Sequence, residues 1–310
     1  MESLPWSAWF AADYPNRAAK PRHSGVTAVA DDGIPLSITR DILQNYAAFI
    51  DYWKFDQGTA IVLSPNQLQT KVALCKEYDV KAYPSGMLFE LALLRQEADE
   101  YLQALKDAGI GILEITSRLH PWTVAERHQA LRGALEKGFE VHTESYISLI
   151  EGASVQMDPL IREDLMQGAQ YVHLYFDAAD GASWDDNWAC SRRIETVIEV
   201  SEHLYPLSTR LSWPLARPMD VSSYRHRSSQ TLMASLNLHS VPALSLAAVE
   251  AARRGLWQSV GKGRFEESFY CRSDALADVS RGDVPSSSAP SSSVRPKLWF
   301  PGSGQPHTAR

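Results

Sequence analysis

One lysine, two glutamates and one histidine stand out because each lies within or at the end of a short apolar run. They are Lys54, Glu114, Glu144 and His239. Short apolar runs bounded by turn residues are typical of buried strands, so these ionisable side chains should reach a partly buried site. Burial and neighbouring charges move the pKa values of such groups into the range that proton transfer needs. We therefore predict acid–base chemistry with these four residues as the catalytic groups.

The same residue types also have structural interpretations. The two glutamates would serve as ion-pair partners of Lys54 or Arg118 at the rim of a site, and His239 as a packed, hydrogen-bonded histidine. His173, inside its own apolar run, is interpreted as structural. Asp31-Asp32-Gly33 has the composition of a turn as well as that of an acidic corner of a site. The residues alone leave these alternatives open.

Strand-like and helix-like segments alternate between Gly25 and Trp257, giving eight strand-then-helix units. Units of this kind pair their strands in parallel, and eight of them close into a (β/α)8 TIM barrel, the fold that we predict. In such a barrel the site lies where the strands end. The predicted strands are Gly25 to Asp31, Phe49 to Phe55, Val80 to Pro84, Gly111 to Thr116, Phe139 to Glu144, Tyr171 to Phe176, Thr209 to Trp213 and Ser235 to Val241.

The strand ends supply further candidates. The residues predicted to bind substrate are Thr59, Tyr83, Tyr175 and Trp213. Carboxylates gathered at a barrel mouth suit Mg²⁺, and the predicted ligands are Asp32, Glu114 and Glu144. The sequence has no GxSxG, Walker, HExxH or strand-borne GxGxxG motif. Serine hydrolases, nucleotide triphosphatases, zinc proteases and Rossmann oxidoreductases therefore lack their signatures here.

Composition changes along the chain predict three segments. Residues 1–24 form an N-terminal segment, 25–265 the barrel, and 266–310 a Ser/Pro-rich tail that should be disordered. The net charge of −7, from 30 basic and 37 acidic residues, makes nucleic acid and anionic membrane poor partners. The three cysteines are far apart and include no CxxC pair, which is typical of reduced thiols.

These features predict a cytoplasmic protein. The first residues contain no signal-type apolar core, and no run is long enough to span a bilayer. We expect a small-molecule substrate, no nucleic-acid or membrane partner, and assembly into a homo-oligomer.

A series of short motifs carries a family resemblance. The motifs are Lys20-Pro21-Arg22, Gly25 with Thr27, Asp51 with Lys54, Gly58 with Thr59, Tyr83 to Glu90, Glu114-Ile115, Thr143-Glu144, Leu236-Asn237-Leu238 and Glu250 to Leu256. In this order they resemble the phosphosulfolactate synthase family, over Lys20 to Leu256. The resemblance implies a (β/α)8 barrel that adds sulfite to phosphoenolpyruvate with Mg²⁺. Plant heat-stress-associated relatives share that fold.

The sequence departs from the family where the family should bind anions. Pro84-Ser85-Gly86-Met87 replaces Pro-Gly-Gly-Thr, Thr116-Ser117-Arg118 replaces Ser-Asp-Gly, and His239 replaces a glycine. Strand six ends in Leu174-Tyr175-Phe176-Asp177 instead of an arginine. These changes remove close backbone approach to a phosphate and a bidentate anion clamp. We therefore predict a lyase of the family type that uses acid–base chemistry, assisted by Mg²⁺ if the metal is bound, on a substrate other than phosphoenolpyruvate.

Two alternatives remain open. In the first, a repurposed barrel catalyses cyclisation or isomerisation of a larger apolar substrate, which would pack against the aromatic side chains of the mouth. In the second, a non-catalytic, stress-related barrel uses Trp299-Phe300 or the tail for contacts with other molecules.

Overall fold

The computed structural model describes residues 17–148, 153–177, 210–214 and 234–253. Within these ranges, eight strands form one sheet in the order β3-β2-β1-β8-β7-β6-β5-β4, and every ladder is parallel. The predicted TIM barrel is thus confirmed, nearly closed between β3 and β4. The strands are β1 (Thr27–Asp31), β2 (Tyr52–Phe55), β3 (Lys81–Pro84), β4 (Ile112–Ile115), β5 (Glu140–Ser148), β6 (Tyr171–Asp177), β7 (Leu211–Pro214) and β8 (Asn237–Pro242).

Helices follow the strands along the chain. Two of them begin with a capping box, in which the N-cap hydroxyl accepts from the backbone N–H three residues on and that residue's side chain accepts from the N-cap backbone N–H. The pairs are Ser64 with Gln67 and Thr123 with Glu126, so side chains fix the start of each helix. The described helices are α1 (Leu36–Tyr46), α2 (Thr59–Val62), α3 (Pro65–Glu77), α4 (Met87–Leu94), α5 (Ala98–Asp107), α6 (Val124–Glu136), α7 (Ala153–Gln167) and α8 (Leu246–Arg253). None of the helices in these ranges is both long and apolar enough to cross a membrane.

Local differences from the sequence prediction have identifiable causes. The single helix predicted from Leu88 to Ala108 is two helices, α4 and α5, because Gln96 adopts a left-handed backbone conformation with φ of 62°. The strand predicted from Phe49 begins at Tyr52, because a 3-10 turn occupies Ala47–Phe49. The short helix α2 was not predicted.

Other predicted segments lie outside the described residues. They are the helix Asn187 to His203, nearly all of the helix Ser222 to Ala234, the end of the last helix beyond Arg253, and the tail 266–310. The boundaries of the three segments therefore stay predictions.

The two sides of the strands differ in chemistry. The side that faces the helices is apolar, with fully buried Val29, Leu113, Val172 and Leu238. The interior of a TIM barrel commonly holds branched aliphatic side chains, but here polar aromatic rings occupy it. Their centre is His142, whose ring packs edge-on against the rings of Tyr52, Tyr83 and Tyr171 at centroid distances of 5.0, 5.2 and 5.4 Å. The interior can therefore carry hydrogen bonds from one end of the barrel toward the other.

Candidate active site

Lys54 is the centre of a buried cluster at the ends of the strands. Its ammonium Nζ lies 3.0 Å from Glu114 Oε1, 3.4 Å from Asp56 Oδ1 and 3.7 Å from Glu144 Oε2. The same nitrogen is 3.4 Å from Nε2 of His239. The four residues predicted to be catalytic therefore meet around one point, although their roles stay predictions.

Glu114 is held in place by the turn after β3. The backbone N–H of Gly86 donates to Glu114 Oε2 at 2.8 Å, so Oε1 is directed toward Lys54. A Cβ atom on residue 86 would lie 2.7 Å from the backbone oxygen of Glu114 and 2.7 Å from Thr116 Cγ2. Only glycine therefore allows β3 and β4 to approach this closely without displacement.

Glu144 is paired with Arg118 from the loop after β4. Arg118 Nε donates to Glu144 Oε1 at 2.7 Å, and its guanidinium lies over the ring of Tyr175 at 5.2 Å. Buried Glu90 shapes this loop, because its carboxylate accepts hydrogen bonds from the backbone N–H groups of residues 118, 119 and 120. A structural carboxylate on α4 thus places a charged side chain at the mouth.

His239 is fixed by hydroxyl groups and by a second imidazole. Its Nδ1 lies 2.9 Å from Tyr175 Oη and 2.8 Å from Ser240 Oγ, which leaves Nε2 facing Lys54. Its ring stacks on that of His173, with centroids 3.7 Å apart. His173 in turn is hydrogen-bonded to His142 at 3.1 Å. The mouth is therefore continuous with the polar interior.

The charges in the cluster set opposite protonation preferences. Burial lowers the pKa of Lys54, but the carboxylate charges of Glu114 and Glu144 more than offset this, and its pKa is raised well above the usual value. Burial raises the pKa of Glu114, but Lys54 and the Gly86 hydrogen bond lower it overall. Lys54 is therefore an ammonium and Glu114 a carboxylate at neutral pH.

The pKa values of Glu144 and His239 are shifted in directions that suit proton transfer. Burial, together with the charge of Glu114, raises the pKa of Glu144, although Lys54 and Arg118 oppose the shift. Burial and the charge of Lys54 hold the pKa of His239 well below its usual value, so its imidazole is neutral. A neutral imidazole and a carboxyl group of raised pKa beside an ammonium can move a proton in either direction.

The predicted substrate-binding residues occupy different positions. Tyr83 is buried in the interior, in register with Lys54, and Thr59 is buried at the first residue of α2. Trp213 is in register with Leu238, whereas its neighbour Pro214 is in register with His239. Because side chains alternate along a strand, Trp213 lies on the opposite side of the sheet from His239 and does not join the residues around Lys54.

Two of the predicted metal ligands, Glu114 and Glu144, are brought together around Lys54. Asp32 is exposed in the turn after β1, where burial and the charge of Asp56 raise its pKa. Its neighbour Asp31 is structural: its carboxylate accepts hydrogen bonds from Trp53 Nε1 at 2.9 Å and Lys71 Nζ at 2.6 Å. Among the described residues, the group of three whose ligand atoms lie within 4.8 Å of one another is instead Glu114, His173 and His239.

This donor set fits Mg²⁺ poorly, because Mg²⁺ prefers oxygen ligands and two of the three donors are imidazoles. Sequence reasoning missed His173 as a member of this group and Asp56 as a partner of Lys54. Asp56 had a usable signal, since residues two apart on a strand share a face and Asp56 follows Lys54 by two. Arg118 was expected as an ion-pair partner of the two glutamates, and the structure pairs it with Glu144.

Comparison with known proteins gives the family. The model of the (2R)-phospho-3-sulfolactate synthase (ComA) family matches residues 15–259. The phosphosulfolactate synthase of Methanothermobacter thermautotrophicus is 31% identical over 163 residues, which cover 51% of this chain and 63% of the relative. That of Methanocaldococcus jannaschii is 32% identical over 152 residues, covering 48% and 61%. The matched stretch thus spans less than two thirds of these relatives.

Among solved structures, 3-hexulose-6-phosphate synthase from Salmonella typhimurium aligns with a TM-score of 0.48 at 13% identity, covering 75% of this chain and 99% of that one. The match to the family model extends from before β1 to beyond α8, and so includes every strand of the barrel and the cluster around Lys54. The chain therefore belongs to the phosphosulfolactate synthase family.

Proposed function

We propose that this chain is a lyase-type enzyme that acts by acid–base chemistry on a substrate other than phosphoenolpyruvate. The observation that carries the proposal is that Lys54, at the centre of the mouth, is surrounded by the carboxylates of Asp56, Glu114 and Glu144. Arg118 is also paired, with Glu144. Two cations that already face three carboxylates attract a small, multiply charged anion weakly. They can still stabilise the single negative charge of an enolate-like intermediate.

The residues have complementary roles in this proposal. Lys54, held as an ammonium, donates a hydrogen bond to the oxygen on which charge develops. His239 or Glu144 takes the proton, because one is neutral and the other has a raised pKa. Glu114 stays ionised and keeps Lys54 in position. Tyr175 orients His239 through the hydrogen bond to Nδ1.

The first experiment tests the substrate. Phosphoenolpyruvate and sulfite are incubated with the protein, with and without Mg²⁺, and followed by ³¹P NMR, while calorimetry measures binding of phosphoenolpyruvate. We expect neither product nor binding. Lys54→Met, which keeps the length of the side chain and removes its charge, is the matched control. Formation of phosphosulfolactate that is lost in Lys54→Met would contradict the proposed change of substrate.

The second experiment tests the chemistry. Apolar 2-enoic and 2-oxo acids are screened for compounds that raise the melting temperature of the protein, and hits are incubated in D₂O. We expect deuterium incorporation that falls about 10²–10⁴-fold in Lys54→Met, the usual contribution of a positioned proton-transfer group. Absence of any Lys54-dependent binding or exchange across the panel would favour the non-catalytic alternative.

A cyclase or isomerase for a larger apolar substrate is the second candidate, and exposed apolar side chains around the mouth favour it. Ile61 and Val62, which follow β2, are 60% and 79% exposed, and Leu244, which follows β8, is 92% exposed. Residues that follow parallel strands lie at the same end of the barrel as Lys54. Mass spectrometry separates the candidates, because isomerisation conserves the mass of the substrate and addition or elimination does not.

A further inference from the structure

We propose that Glu114, His173 and His239 form a binding site for a divalent transition-metal ion, with Zn²⁺ as the reference ion, in the barrel interior. One ligand atom of each residue lies within 4.8 Å of the other two, and all three side chains are buried. Two imidazole nitrogens and one carboxylate oxygen form a donor set that catalytic zinc sites use. Zinc–nitrogen bonds of about 2.0–2.1 Å bring ligand atoms closer than this spacing, so the side chains would close slightly around the ion.

In Glu114 and in His239, one polar atom of the side chain is held by hydrogen bonds and the second polar atom faces the proposed metal site. Glu114 uses Oε2 to accept the Gly86 N–H, and its Oε1 lies 3.5 Å from His239 Nε2. His239 uses Nδ1 for the hydroxyls of Tyr175 and Ser240. Metal-binding imidazoles characteristically have the second nitrogen fixed in this way by an outer partner.

A ring nitrogen of His173 that is unpartnered within the described part of the chain supports the site independently of the spacing of the three ligand atoms. Its Nε2 lies 3.1 Å from His142 Nδ1, and His142 Nε2 lies 2.9 Å from Glu140 Oε1. A carboxylate only accepts, so His142 donates to Glu140 from Nε2, and an imidazole that carries its one ring proton there accepts from His173 at Nδ1. The Nδ1 atom of a neutral His173 then has a lone pair, and this buried atom has no hydrogen-bond partner among the described residues. A bound cation would satisfy a group that is otherwise costly to bury.

Lys54 competes for the same place. Its Nζ is 3.0 Å from Glu114 Oε1 and 3.4 Å from His239 Nε2, so the ammonium occupies the side from which a metal ion would approach. Because like charges repel at this distance, a metal ion must displace the ammonium. Removing the charge of Lys54 should therefore strengthen metal binding, whereas the same change should slow acid–base catalysis about 10²–10⁴-fold.

The test measures metal binding alone and is therefore independent of the reaction. The full chain is stripped with EDTA, desalted, and titrated calorimetrically with ZnCl₂ and, separately, MgCl₂. We expect one Zn²⁺ per chain, bound at least tenfold more tightly than Mg²⁺. His239→Gly and His173→Gln should each weaken Zn²⁺ binding at least tenfold, and Lys54→Met should strengthen it. His23→Gln, at an exposed histidine, is the matched control and should bind like the unaltered chain.

Zn²⁺ affinity that is unchanged in both His239→Gly and His173→Gln would overturn the proposal, as would tighter binding of Mg²⁺ than of Zn²⁺. Far-UV circular dichroism checks that the variants fold. If the histidine variants do not fold, ¹⁵N NMR of the unaltered chain decides. Zn²⁺ should shift the ring-nitrogen resonances of His173 and His239, and histidine spectra that do not change on adding one equivalent would refute the site.

Discussion

The two ends of the barrel both bury charged side chains, but they connect them differently. At the base, where the strands begin, arginines bind backbone carbonyls: Arg253 donates to the carbonyl oxygens of Gly25, Val26 and Leu236. At the mouth, where the strands end, every partner found for Lys54 among the described residues is a side chain. Charges at the base therefore tie strands together, whereas charges at the mouth can rearrange without breaking the sheet.

Asp51 shows how the base is built. Its Oδ1 accepts from Arg22 at 2.7 Å, and its Oδ2 accepts from the backbone N–H of Thr27 at 2.9 Å and lies 3.5 Å from Arg17. Arg22 also donates to the backbone oxygen of Ala48. One carboxylate thus joins the start of β1, the approach to β2 and the segment that precedes the barrel. The family motif Lys20-Pro21-Arg22 is accordingly part of the scaffold and not of the mouth.

The largest effect that we expect comes from neutralising one carboxylate at each end. Asp51→Asn removes the charge that faces Arg17 and Arg22, and breaking a buried ion pair from one side costs about 3–5 kcal/mol of unfolding free energy. Glu144→Gln makes the same isosteric change at the mouth, where Asp56 and Glu114 still face Lys54 and the amide oxygen can still accept from Arg118. Because burial raises the pKa of Glu144 and so already disfavours its charge, this change should cost less, about 1 kcal/mol. Urea denaturation of both variants measures the difference.

Asp41→Asn on the exposed surface of α1 is the control and should lie within about 0.5 kcal/mol of the unaltered chain. Equal destabilisation by Asp51→Asn and Glu144→Gln would mean that the mouth is as structural as the base. In that case the distinction between the two ends would fail.

A second prediction concerns Glu140 at the base of the barrel and the dependence of stability on pH. Glu140, at the start of β5, faces Lys81 Nζ at 2.5 Å, the Tyr52 hydroxyl at 2.8 Å and His142 Nε2 at 2.9 Å. Burial raises the pKa of Glu140, but the hydrogen bonds from His142 and Lys81 and the charge of Lys81 lower it to about 2. Because this folded-state pKa lies below the ordinary value of 4.5, ionised Glu140 stabilises the fold above about pH 4.5, and this contribution is lost as the pH falls toward 2.

Glu140→Gln should therefore lower the unfolding free energy by about 2–3 kcal/mol at pH 7, and the deficit should shrink as the pH falls below about 4.5. Urea titrations of the variant and the unaltered chain at several pH values between 3 and 7 measure it. If the difference in unfolding free energy between Glu140→Gln and the unaltered chain is constant over this range, side-chain packing and not the charge of Glu140 explains the lost stability. The exposed Glu136→Gln is a suitable control, with no pH-dependent deficit expected.

The sequence was sufficient for the barrel and for much of the mouth, because both follow from local patterns. Alternating apolar segments predict the eight strands, and the rule that sites lie at strand ends selects Lys54, Glu114, Glu144 and His239 as neighbours. The sequence did not show that Trp213 faces away from His239, because the pattern alone does not fix the register of β7, which decides the face on which a side chain lies. The pattern alone also did not fix the positions of Asp31 and Asp32: Asp31, at the end of β1, pairs with Lys71 on α3, and Asp32 in the following turn is exposed.

His173 could not be recognised from sequence, because its importance comes from what surrounds it. A histidine inside an apolar run reads as a packed residue, and it is indeed buried. Its stacking on His239 and its hydrogen bond to His142 join residues from three strands, β5, β6 and β8. Contacts of that range depend on barrel closure and side-chain rotamers, which a single sequence does not reveal.

The smallest effect that we predict distinguishes two glycines of the family motifs. At Gly86 an added Cβ would lie 2.7 Å from a backbone oxygen of β4, so Gly86→Ala must push β3 away from β4 and lengthen the hydrogen bond to Glu114. At Gly58 an added Cβ would meet nothing within 4 Å, and the backbone φ is −98°. Gly86→Ala should cost about 1–3 kcal/mol of unfolding free energy, whereas Gly58→Ala should be neutral or stabilising by about 0.4–1 kcal/mol. Thermal and urea unfolding of the pair test this, and equal costs would mean that the closure between β3 and β4 does not depend on the missing side chain.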